Sequence, residues 1–454
     1  MIELCWSAVG GDPQAPSQLE VVERDAWLGG PLAVDELALG SVAAALLAAA
    51  ELSEARTGSR PTIALSGEHV ALSFHSERNI LRNGSPAGSG FAPLSRFLRC
   101  AAGSWARTHG NYPHHAAALA AALGFDLAAQ DPVAALQEAA EAVTAIELED
   151  AVFAAGGCAT ALRSPQDWAA HPAGRTARDR PLIAWDRSVV GRLERQLPQC
   201  DLRAGPASGV RVLDLTRVIA GPVAGRTLAA LGAEVLRIDP PHLPELPAQH
   251  LDTGPGKRSA FLDLADAETR EPLLAGAHVL LTGYRPHALA RFDMSSEALA
   301  ERHPHLVQVS LSAWGADGPW ANRRGFDSLV QVACGIASVC STPDGTPGAL
   351  PAQALDHASG HLIAATALRA LALLVRGEQA SPASLALATT GAALLDAPAP
   401  PAITTEATGK ADPRRHRVRF ADLELIAPPG TLDRVPLHWP HRPRPLGGDA
   451  PSWN

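Results

Sequence analysis

The sequence predicts an α/β protein in which a doubly wound parallel sheet lies beside a smaller α+β domain. Two observations support this fold class. From residue 209 onward, short apolar runs alternate with helical stretches, the pattern of β-α-β units around a parallel sheet. In addition, a chain of 454 residues, 46% of them hydrophobic, is long and apolar enough to fill more than one core.

The predicted sheet has four strands in chain order. Residues 209–215 (GVRVLDL) are short, apolar and rich in β-branched side chains, as a buried strand requires. The helix after the TRVIAGP turn ends before Gly232, the position at which glycine commonly terminates a helix. Residues 233–239 (AEVLRID) form the next strand. Two more strands follow at 277–284 (AHVLLTGY) and 305–315 (HLVQVSLSAWG), with the helical SSEALAERH between them.

One helix-and-strand segment occurs twice. Residues 32–58 resemble residues 350–377, and each stretch has an aspartate at the start of an alanine-rich helix. A similar piece follows each copy, TIALSGEHVALSF in the first and SLALATTGAALLD in the second, at an offset of 320 to 322 residues. The repetition predicts two Asp-headed helices, Asp35 in one and Asp356 in the other, but one doubly wound sheet.

Four segments follow from these patterns. Residues 1–84 hold the first Asp-headed helix and complete the large domain, 85–205 form the small α+β domain, 206–400 form the doubly wound domain, and 401–454 form an extended tail. In the small domain we expect two strands and a helix, followed by two helices around the Gly156–Gly157 turn. ASPASL (380–385) and the tail are rich in proline, glycine or both and predict loops or extended chain.

Composition limits the classes of function. A formal net charge of −9 argues against a nucleic-acid binder. The six cysteines form no CxxC pair and no cluster with zinc spacing, so buried free thiols and no metal are expected. The start of the chain lacks the basic and apolar regions of a signal peptide, and no apolar run is long enough to predict a membrane span. We therefore expect a cytoplasmic protein with no membrane partner.

The turn after the first strand of the sheet is the expected ligand site, since open parallel sheets bind ligands at the carboxyl ends of their strands. Its glycines, Gly221 and Gly225, do not form GxGxxG, which argues against a dinucleotide dehydrogenase. GVRVLDLTRVIAGPVAGRTLAALGAEVLRIDPP instead resembles the opening of the class III coenzyme A transferases (the CaiB/BaiF type). The similarity continues in order through GKRSAFLDL, LLTGYRPHALARF, RRGFDSLVQVACGIAS and ALDHASGHLIAATALRAL, from 209 to about 396.

The resemblance implies a class III CoA-transferase fold with a Rossmann-like large domain, and Asp356 as the catalytic residue. Its carboxylate would attack an acyl-CoA thioester and pass CoA to a small carboxylic acid by way of an aspartyl-CoA thioester. Coenzyme A would bind as substrate and product, with backbone groups of Ile219 and Ala220 near it and Arg291 and Arg324 on its phosphates. From the residues alone, an Asp before an apolar helix also fits an N-cap.

Several further residues are candidates for the site. Lys257 and Arg258 are possible phosphate contacts, and Gly360 would leave space for the thioester. His357 and His361 flank Asp356 as proton carriers or, the interpretation we favour, as structural histidines. Asp35 is the alternative nucleophile, although only Asp356 follows the complete run of motifs.

The family's usual order is changed here, because the region that resembles its small domain precedes the doubly wound half. The chain is therefore predicted to be permuted or fused from two partial copies, and a homodimer is expected from the resemblance. Two other functions stay open: a 2-methylacyl-CoA racemase of the same family and an inactive CoA-binding protein. Phe326 occupies the position where the racemase branch has histidine, which favours the transferase.

Overall fold

The structure is a computed structural model that describes residues 1–88, 90–191, 197–201, 203–400, 407 and 409–453. Its helices are α1 (Ile2–Val9), α2 (Val34–Thr57), α3 (Gly67–Ser73), α4 (Pro113–Leu123), α5 (Pro132–Glu141), α6 (Ala145–Ala154), α7 (Pro165–Ala170), α8 (Pro172–Asp179), α9 (Ala220–Ala230), α10 (Pro247–Thr253), α11 (Ala267–Gly276), α12 (Ser296–Arg302), α13 (Asp327–Ala333), α14 (Ile336–Val339), α15 (Ala354–Val375) and α16 (Leu387–Asp396).

The strands are β1 (Leu19–Val22), β2 (Ile63–Ser66), β3 (Leu81–Arg82), β4 (Ser85–Pro86), β5 (Phe97–Arg99), β6 (Trp105–Thr108), β7 (Ala159–Ala161), β8 (Ala184–Trp185), β9 (Arg211–Leu215), β10 (Glu234–Asp239), β11 (Lys257–Phe261), β12 (Val279–Thr282), β13 (Val307–Ser312), β14 (Ala383–Ala386), β15 (Arg417–Phe420), β16 (Leu423–Ile426), β17 (Thr431–Leu432) and β18 (Val435–Pro436).

The main sheet has seven strands in the order β11-β10-β9-β12-β13-β14-β8. The six strands β9 to β14 are parallel to one another. The edge strand β8 pairs antiparallel with β14. From β9 the chain moves outward to β10 and β11, then returns to the other side of β9 at β12. This reversal of strand order confirms the doubly wound class and creates a crevice beyond the carboxyl ends of β9 and β12.

Helices cover both faces of this sheet. Val212 of β9 packs in one core with Leu228 of α9 and Leu362 of α15, whereas its neighbour Leu213 packs in a second core with Leu273 of α11. Successive side chains of a strand point to opposite faces, so a strand buried on both sides is apolar throughout. This explains why apolar residues occupy both faces of β9 rather than alternating with polar ones, and its one buried charge, Asp214, pairs with Lys257.

The two Asp-headed helices, α2 and α15, pack against each other in the centre of the larger core. Each is long and apolar enough to cross a membrane by length and composition, yet 94% and 83% of their apolar windows are buried within the protein. Glu51 of α2 accepts hydrogen bonds from Arg369 and, at 2.6 Å, from Arg376 near the far end of α15. Burial against the partner helix therefore accounts for their apolar composition.

Both copies of the repeat fold as helix, strand and helix, but they join different sheets. In the second copy β14 lies inside the main sheet. In the first copy β2 pairs with β1 and with β17 of the tail, and a further sheet, β15-β16-β3-β4, also joins the two ends of the chain. The predicted tail of 401–454 thus includes short strands, while its residues 401–406, 408 and 454 lie outside the described residues.

The small domain region contains the antiparallel sheet β5-β6-β7 with α4, α5 and α6 packed around Leu98, Leu119 and Leu148. A reciprocal capping box between Thr144 and Glu147 begins α6. Two details differ from the sequence prediction. The Gly156–Gly157 turn is followed by strand β7 before the next helix, and ASPASL is not a loop because its last residues form β14, where Ala383 and Leu385 are buried.

Candidate active site

Two clefts open at the carboxyl edge of the main sheet and meet at one carboxyl group, that of Asp356. The first cleft, of about 360 Å³, lies over the ends of β9, β12 and β13. The second, of about 390 Å³, extends toward α10 and the loop that follows β4. Among the described residues, Val218, Phe326 and Asp356 are the ones that line both clefts. The junction is therefore where a group held in one cleft can react with a group held in the other.

Asp356 lies in the first turn of α15 rather than at its cap. The helix begins at Ala354 after Gln353, and no side chain caps its amino end. The N-cap interpretation of this aspartate is therefore wrong. Instead, the neighbouring carboxylate of Asp327 accepts a hydrogen bond from the backbone N–H of Asp356 at 2.9 Å, and Gln331 donates to the other oxygen of Asp327. The Asp356 side chain is left to face the clefts.

The surroundings of Asp356 make its carboxylate more basic than that of an ordinary aspartate. Burial raises the pKa of Asp356 well above its usual value, and the negative charges of Asp327 and Glu77 raise it further. Burial also raises the pKa of Asp327 to about 6, against the lowering effect of its hydrogen bonds from Asp356 and Gln331. A carboxylate with a raised pKa is both more basic and poorly solvated, and both properties favour nucleophilic attack.

The two histidines beside Asp356 point away from the clefts. The His357 ring stacks on Phe74, with its Nε2 3.6 Å from Glu77 Oε2, and His361 Nδ1 lies 3.4 Å from the Thr227 hydroxyl. Burial lowers the pKa of His361 well below its usual value. The cleft linings contain neither histidine, as the structural interpretation predicts.

The expectation that Gly360 leaves space for a thioester is wrong. A Cβ at this position would lie 2.5 Å from the carbonyl oxygen of Ala220 and 2.8 Å from Val223 Cβ. Gly360 is therefore needed for close packing of α15 on α9. Because Ala220 follows directly on the turn between the clefts, this packing also fixes that turn against the helix of Asp356.

Positive charge lines the first cleft. Arg285 donates to the carbonyl of Asn322 at 3.1 Å and Arg324 to the carbonyl of Gly156 at 3.0 Å. Both side chains are exposed, and neither forms an ion pair within the part of the chain that the structure describes. Arg217 projects from the turn after β9, stacks its guanidinium over the Tyr112 ring at 5.1 Å, and lies 4.0 Å from the Glu245 carboxylate. Arg285 and Arg324, which have no carboxylate partner among the described residues, are suited to phosphate oxygens.

The four residues predicted to bind CoA are only partly brought together. Ala220 and Arg324 line the first cleft, whereas Ile219 lines the second. Arg291 lines neither: it is exposed, lies 4.6 Å from the Phe292 ring, and borders a neighbouring depression. That depression shares Tyr284 and Arg285 with the first cleft, so Arg291 lies farther from Asp356 along the same surface.

Sequence reasoning missed Arg217 and Arg285. A signal was available for both, because Arg217 belongs to the turn already identified as the ligand site and Arg285 is the first arginine of the TGYRPHALAR segment, whose second is Arg291.

Lys257 and Arg258 are not phosphate contacts. The ammonium group of Lys257 is buried and donates at 2.8 Å to both Asp214 and the carbonyl of Pro222, and burial lowers its pKa to about 8. Arg258 pairs with Glu234 at 3.2 Å and donates to the carbonyl of Ser452 at 2.9 Å, which fastens the C-terminal tail. Both belong to the packing of the sheet and not to the clefts.

Asp35, the alternative nucleophile, is engaged in a loop. Its carboxylate accepts three backbone hydrogen bonds, from Trp27 at 3.1 Å, Leu28 at 2.9 Å and Gly29 at 3.1 Å. It lines neither cleft. The structure thus separates the two aspartates: one orders a loop, and the other lies where two clefts meet.

Comparisons with known proteins match the same region. The model of CoA-transferase family III matches residues 207–423. A probable fatty acyl-CoA transferase of Mycobacterium tuberculosis is 34% identical over an alignment of 184 residues that covers 37% of this chain and 47% of that protein. A succinate–glutarate CoA-transferase of Agrobacterium fabrum is 32% identical over an alignment of 166 residues that covers 32% of this chain and 42% of that protein.

A solved structure of a hypothetical protein from Mycobacterium tuberculosis is 33% identical and covers 42% of this chain and 56% of that chain, with a TM-score of 0.39. The chain thus spans about half the length of the relatives it matches.

Proposed function

We propose that this chain, whose residues 207–423 match the model of CoA-transferase family III, transfers CoA from an acyl-CoA thioester to a small carboxylic acid, with Asp356 as the nucleophile. The observation that supports this most is the position of one buried carboxyl group at the junction of two clefts, one of which is lined by arginines. The names of the relatives, which include fatty acyl-CoA, succinate–glutarate and acetyl-CoA:oxalate transferases, agree with a carboxylic acid as acceptor.

The proposed reaction needs no group other than the carboxylate and its two substrates. The Asp356 carboxylate attacks the thioester carbonyl and forms a mixed anhydride, and CoA leaves as a thiolate. The thiolate then attacks the aspartyl carbonyl of the anhydride, which gives an aspartyl-CoA thioester and releases the donor acid as a carboxylate. The acceptor carboxylate repeats these two steps in reverse order, so the new acyl-CoA leaves and Asp356 returns to the carboxylate.

The two clefts supply a place for each substrate in this scheme. We assign CoA to the first cleft, because Arg217, Arg285 and Arg324 can meet its phosphates, and we place its nucleotide end toward Arg291. We assign the acyl group and the acceptor acid to the second cleft, whose lining combines the apolar Phe91 with polar side chains. CoA and the acids can then react in turn with Asp356, and neither substrate has to pass through the cleft of the other.

We also propose that the protein acts in the cytoplasm as a homodimer. Its six cysteines are all free in the structure, which suits a reducing compartment. Light scattering of the purified protein and localisation of a tagged chain test these two proposals separately.

The proposed transfer is tested by exchange between thioesters and acids. Purified protein is incubated with succinyl-, acetyl- or propionyl-CoA and a panel of carboxylic acids, and new acyl-CoA products are identified by mass spectrometry. We expect at least one donor and acceptor pair to exchange, and Asp356→Asn to abolish it. If CoA binds but no pair exchanges, and deuterium from solvent enters the α-carbon of a 2-methylacyl-CoA, the transferase proposal fails in favour of a racemase.

A further inference from the structure

The turn between the two clefts contains a strained residue. Val218 follows β9 by three residues, lines both clefts, and has φ of +70°. The left-handed region is uncommon for any residue with a side chain and is a true outlier for a β-branched one, because the branched Cβ collides with the backbone. Such conformations persist only where the surroundings enforce them, and they are concentrated at functional sites.

A single buried carboxylate holds this turn. Glu245 Oε2 accepts the backbone N–H of Val218 at 2.7 Å and Arg237 Nη2 at 3.0 Å. Its Oε1 accepts the Tyr112 hydroxyl at 2.5 Å and the backbone N–H of Leu246 at 2.9 Å. The Glu245 side chain is completely buried. Although burial opposes ionisation, Arg237, Tyr112 and the Val218 N–H together lower its pKa, so the group is a carboxylate with its acceptors filled.

The carboxylate is itself anchored on both sides. Arg237 is completely buried and also pairs with Asp239 through two hydrogen bonds of 2.8 and 3.0 Å, which fixes the guanidinium within the main sheet. Tyr112 comes from the small domain region and lines the first cleft. Glu245 therefore connects three parts of the protein at the point where the clefts meet.

We propose that Glu245 is a positioning residue: it holds Val218 in its strained conformation and thereby keeps Ile219 and Ala220 in place against Asp356 and the CoA thioester. Ile219 and Ala220 each line a cleft together with Asp356, and Ala220 contacts α15 at Gly360. Glu245 lines neither cleft, so it acts on the site through groups that do: the Val218 turn, Tyr112, and Arg217, whose Nη2 lies 4.0 Å from Glu245 Oε1. The kinetic part of this inference rests on the proposed transferase function.

A mutant cycle distinguishes this role from a merely structural one. In the native background, Glu245→Ala should lower kcat by about 10- to 100-fold, since the strain in the turn is no longer opposed. In a Val218→Gly background the same substitution should cost less than about threefold, because glycine adopts positive φ without a steric penalty. Val218→Ala is the matched control: it also shortens the side chain but keeps a Cβ, so the full loss on Glu245→Ala should persist.

An equal loss in the native and the Val218→Gly backgrounds would overturn the proposal, since Glu245 would then act only as the counter-ion of Arg237. If Glu245→Ala does not fold, Glu245→Gln replaces it in the same mutant cycle. Its amide keeps one acceptor oxygen, so the expected loss of kcat and the difference between the two backgrounds are both smaller.

Hydrogen exchange provides a readout that does not depend on turnover. In the ligand-free protein, Glu245→Ala should increase deuterium uptake in the peptide that covers the Val218 turn, whereas Tyr112→Phe, which removes a different bond to the same carboxylate, should not. Unchanged uptake at the turn in Glu245→Ala would contradict the proposal. The wild-type protein could transfer no CoA while Glu245→Ala still increases deuterium uptake at the turn. In that case the proposed function fails, and the role of Glu245 in holding the turn stands.

Discussion

The two Asp-headed helices, α2 and α15, have similar sequences and different chemical surroundings. Asp35 of α2 is bonded to three backbone N–H groups of its own loop, which use its acceptor oxygens. Asp356 of α15 has two carboxylates near it, Asp327 and Glu77, and faces two clefts. The comparison shows that an aspartate at the start of an apolar helix is not a nucleophile by itself. Its reactivity depends on what the neighbouring elements place around it.

The largest expected effect is on turnover. Asp356→Asn should lower the rate of CoA transfer by about 10³-fold or more, because an amide does not attack a thioester. Asp35→Asn, the matched change in the other helix, should leave the rate within about threefold of wild type. Initial rates of acyl-CoA formation measure both. A large loss with Asp35→Asn and none with Asp356→Asn would reverse the assignment of the two helices.

The arginines of the first cleft should affect binding more than chemistry. Arg285→Ala and Arg324→Ala should each raise KM for the acyl-CoA by about 10- to 100-fold with a smaller change in kcat, the range expected for loss of a charge-assisted hydrogen bond to phosphate. Arg291→Ala should have a smaller effect, because Arg291 lies outside the clefts. An increase in KM for Arg291→Ala that exceeds the other two would move the nucleotide away from the first cleft.

The equivalent glycines of the two helices should differ in their tolerance of a methyl group. At Gly360 a Cβ meets the backbone of α9, whereas at Gly40 it meets the main chain of Met1 at 2.9 Å and Cys5 Sγ at 3.2 Å. Gly360→Ala should therefore lower the free energy of unfolding by about 1–3 kcal/mol. Gly40→Ala should cost less, because the closest contact of the added Cβ is 2.9 Å there and 2.5 Å at Gly360. Urea denaturation measures both, and equal costs would contradict this ranking.

The pH profile should report the carboxylates around Asp356. Only the ionised side chain attacks, so kcat/KM should rise with pH through the raised pKa of Asp356. Asp327→Asn removes the nearer negative charge and should move the acidic limb of the profile to lower pH. Glu77→Gln should move it in the same direction by less, because Glu77 contributes less to the raised pKa. A shift of either variant toward higher pH would show that these carboxylates do not act on Asp356.

The parallel sheet was predictable because each of its main strands is marked by its own residues. β9, β10 and β12 are buried on both faces and carry runs of Val, Leu and Ile, whereas β13 alternates buried Val and Leu with half-buried polar residues, so all four are recognisable without tertiary information. β14 was only partly predicted: the repeat indicated a strand in the SLALATT segment, but the overlapping SPAS has no β-branched or aromatic residue, and its proline and serines are typical of loops. Its neighbour β13 and the helices around it, rather than its own side chains, make it a strand.

The site was predictable only where a motif marked it. Asp356, Ala220 and Arg324 lie in segments that resemble a known family, and all three line the first cleft. Glu245 gives no such signal: it lies in the proline-rich stretch HLPELP, and its contacts to Val218 and Tyr112 bridge 27 and 133 residues of sequence. Lys257 was misassigned for the converse reason, because a lysine in a turn resembles a phosphate contact until the buried Asp214 is seen beside it.

The measurement that tests the central claim most directly is the identification of the residue that carries the covalent intermediate. The protein is incubated with the acyl-CoA donor that supports the fastest exchange and quenched with hydroxylamine or borohydride, and the modified peptide is sequenced by mass spectrometry. We predict modification of Asp356 that is absent from Asp356→Asn and unchanged in Asp35→Asn. Modification of Asp35, or rapid exchange with no modified aspartate, would contradict the account.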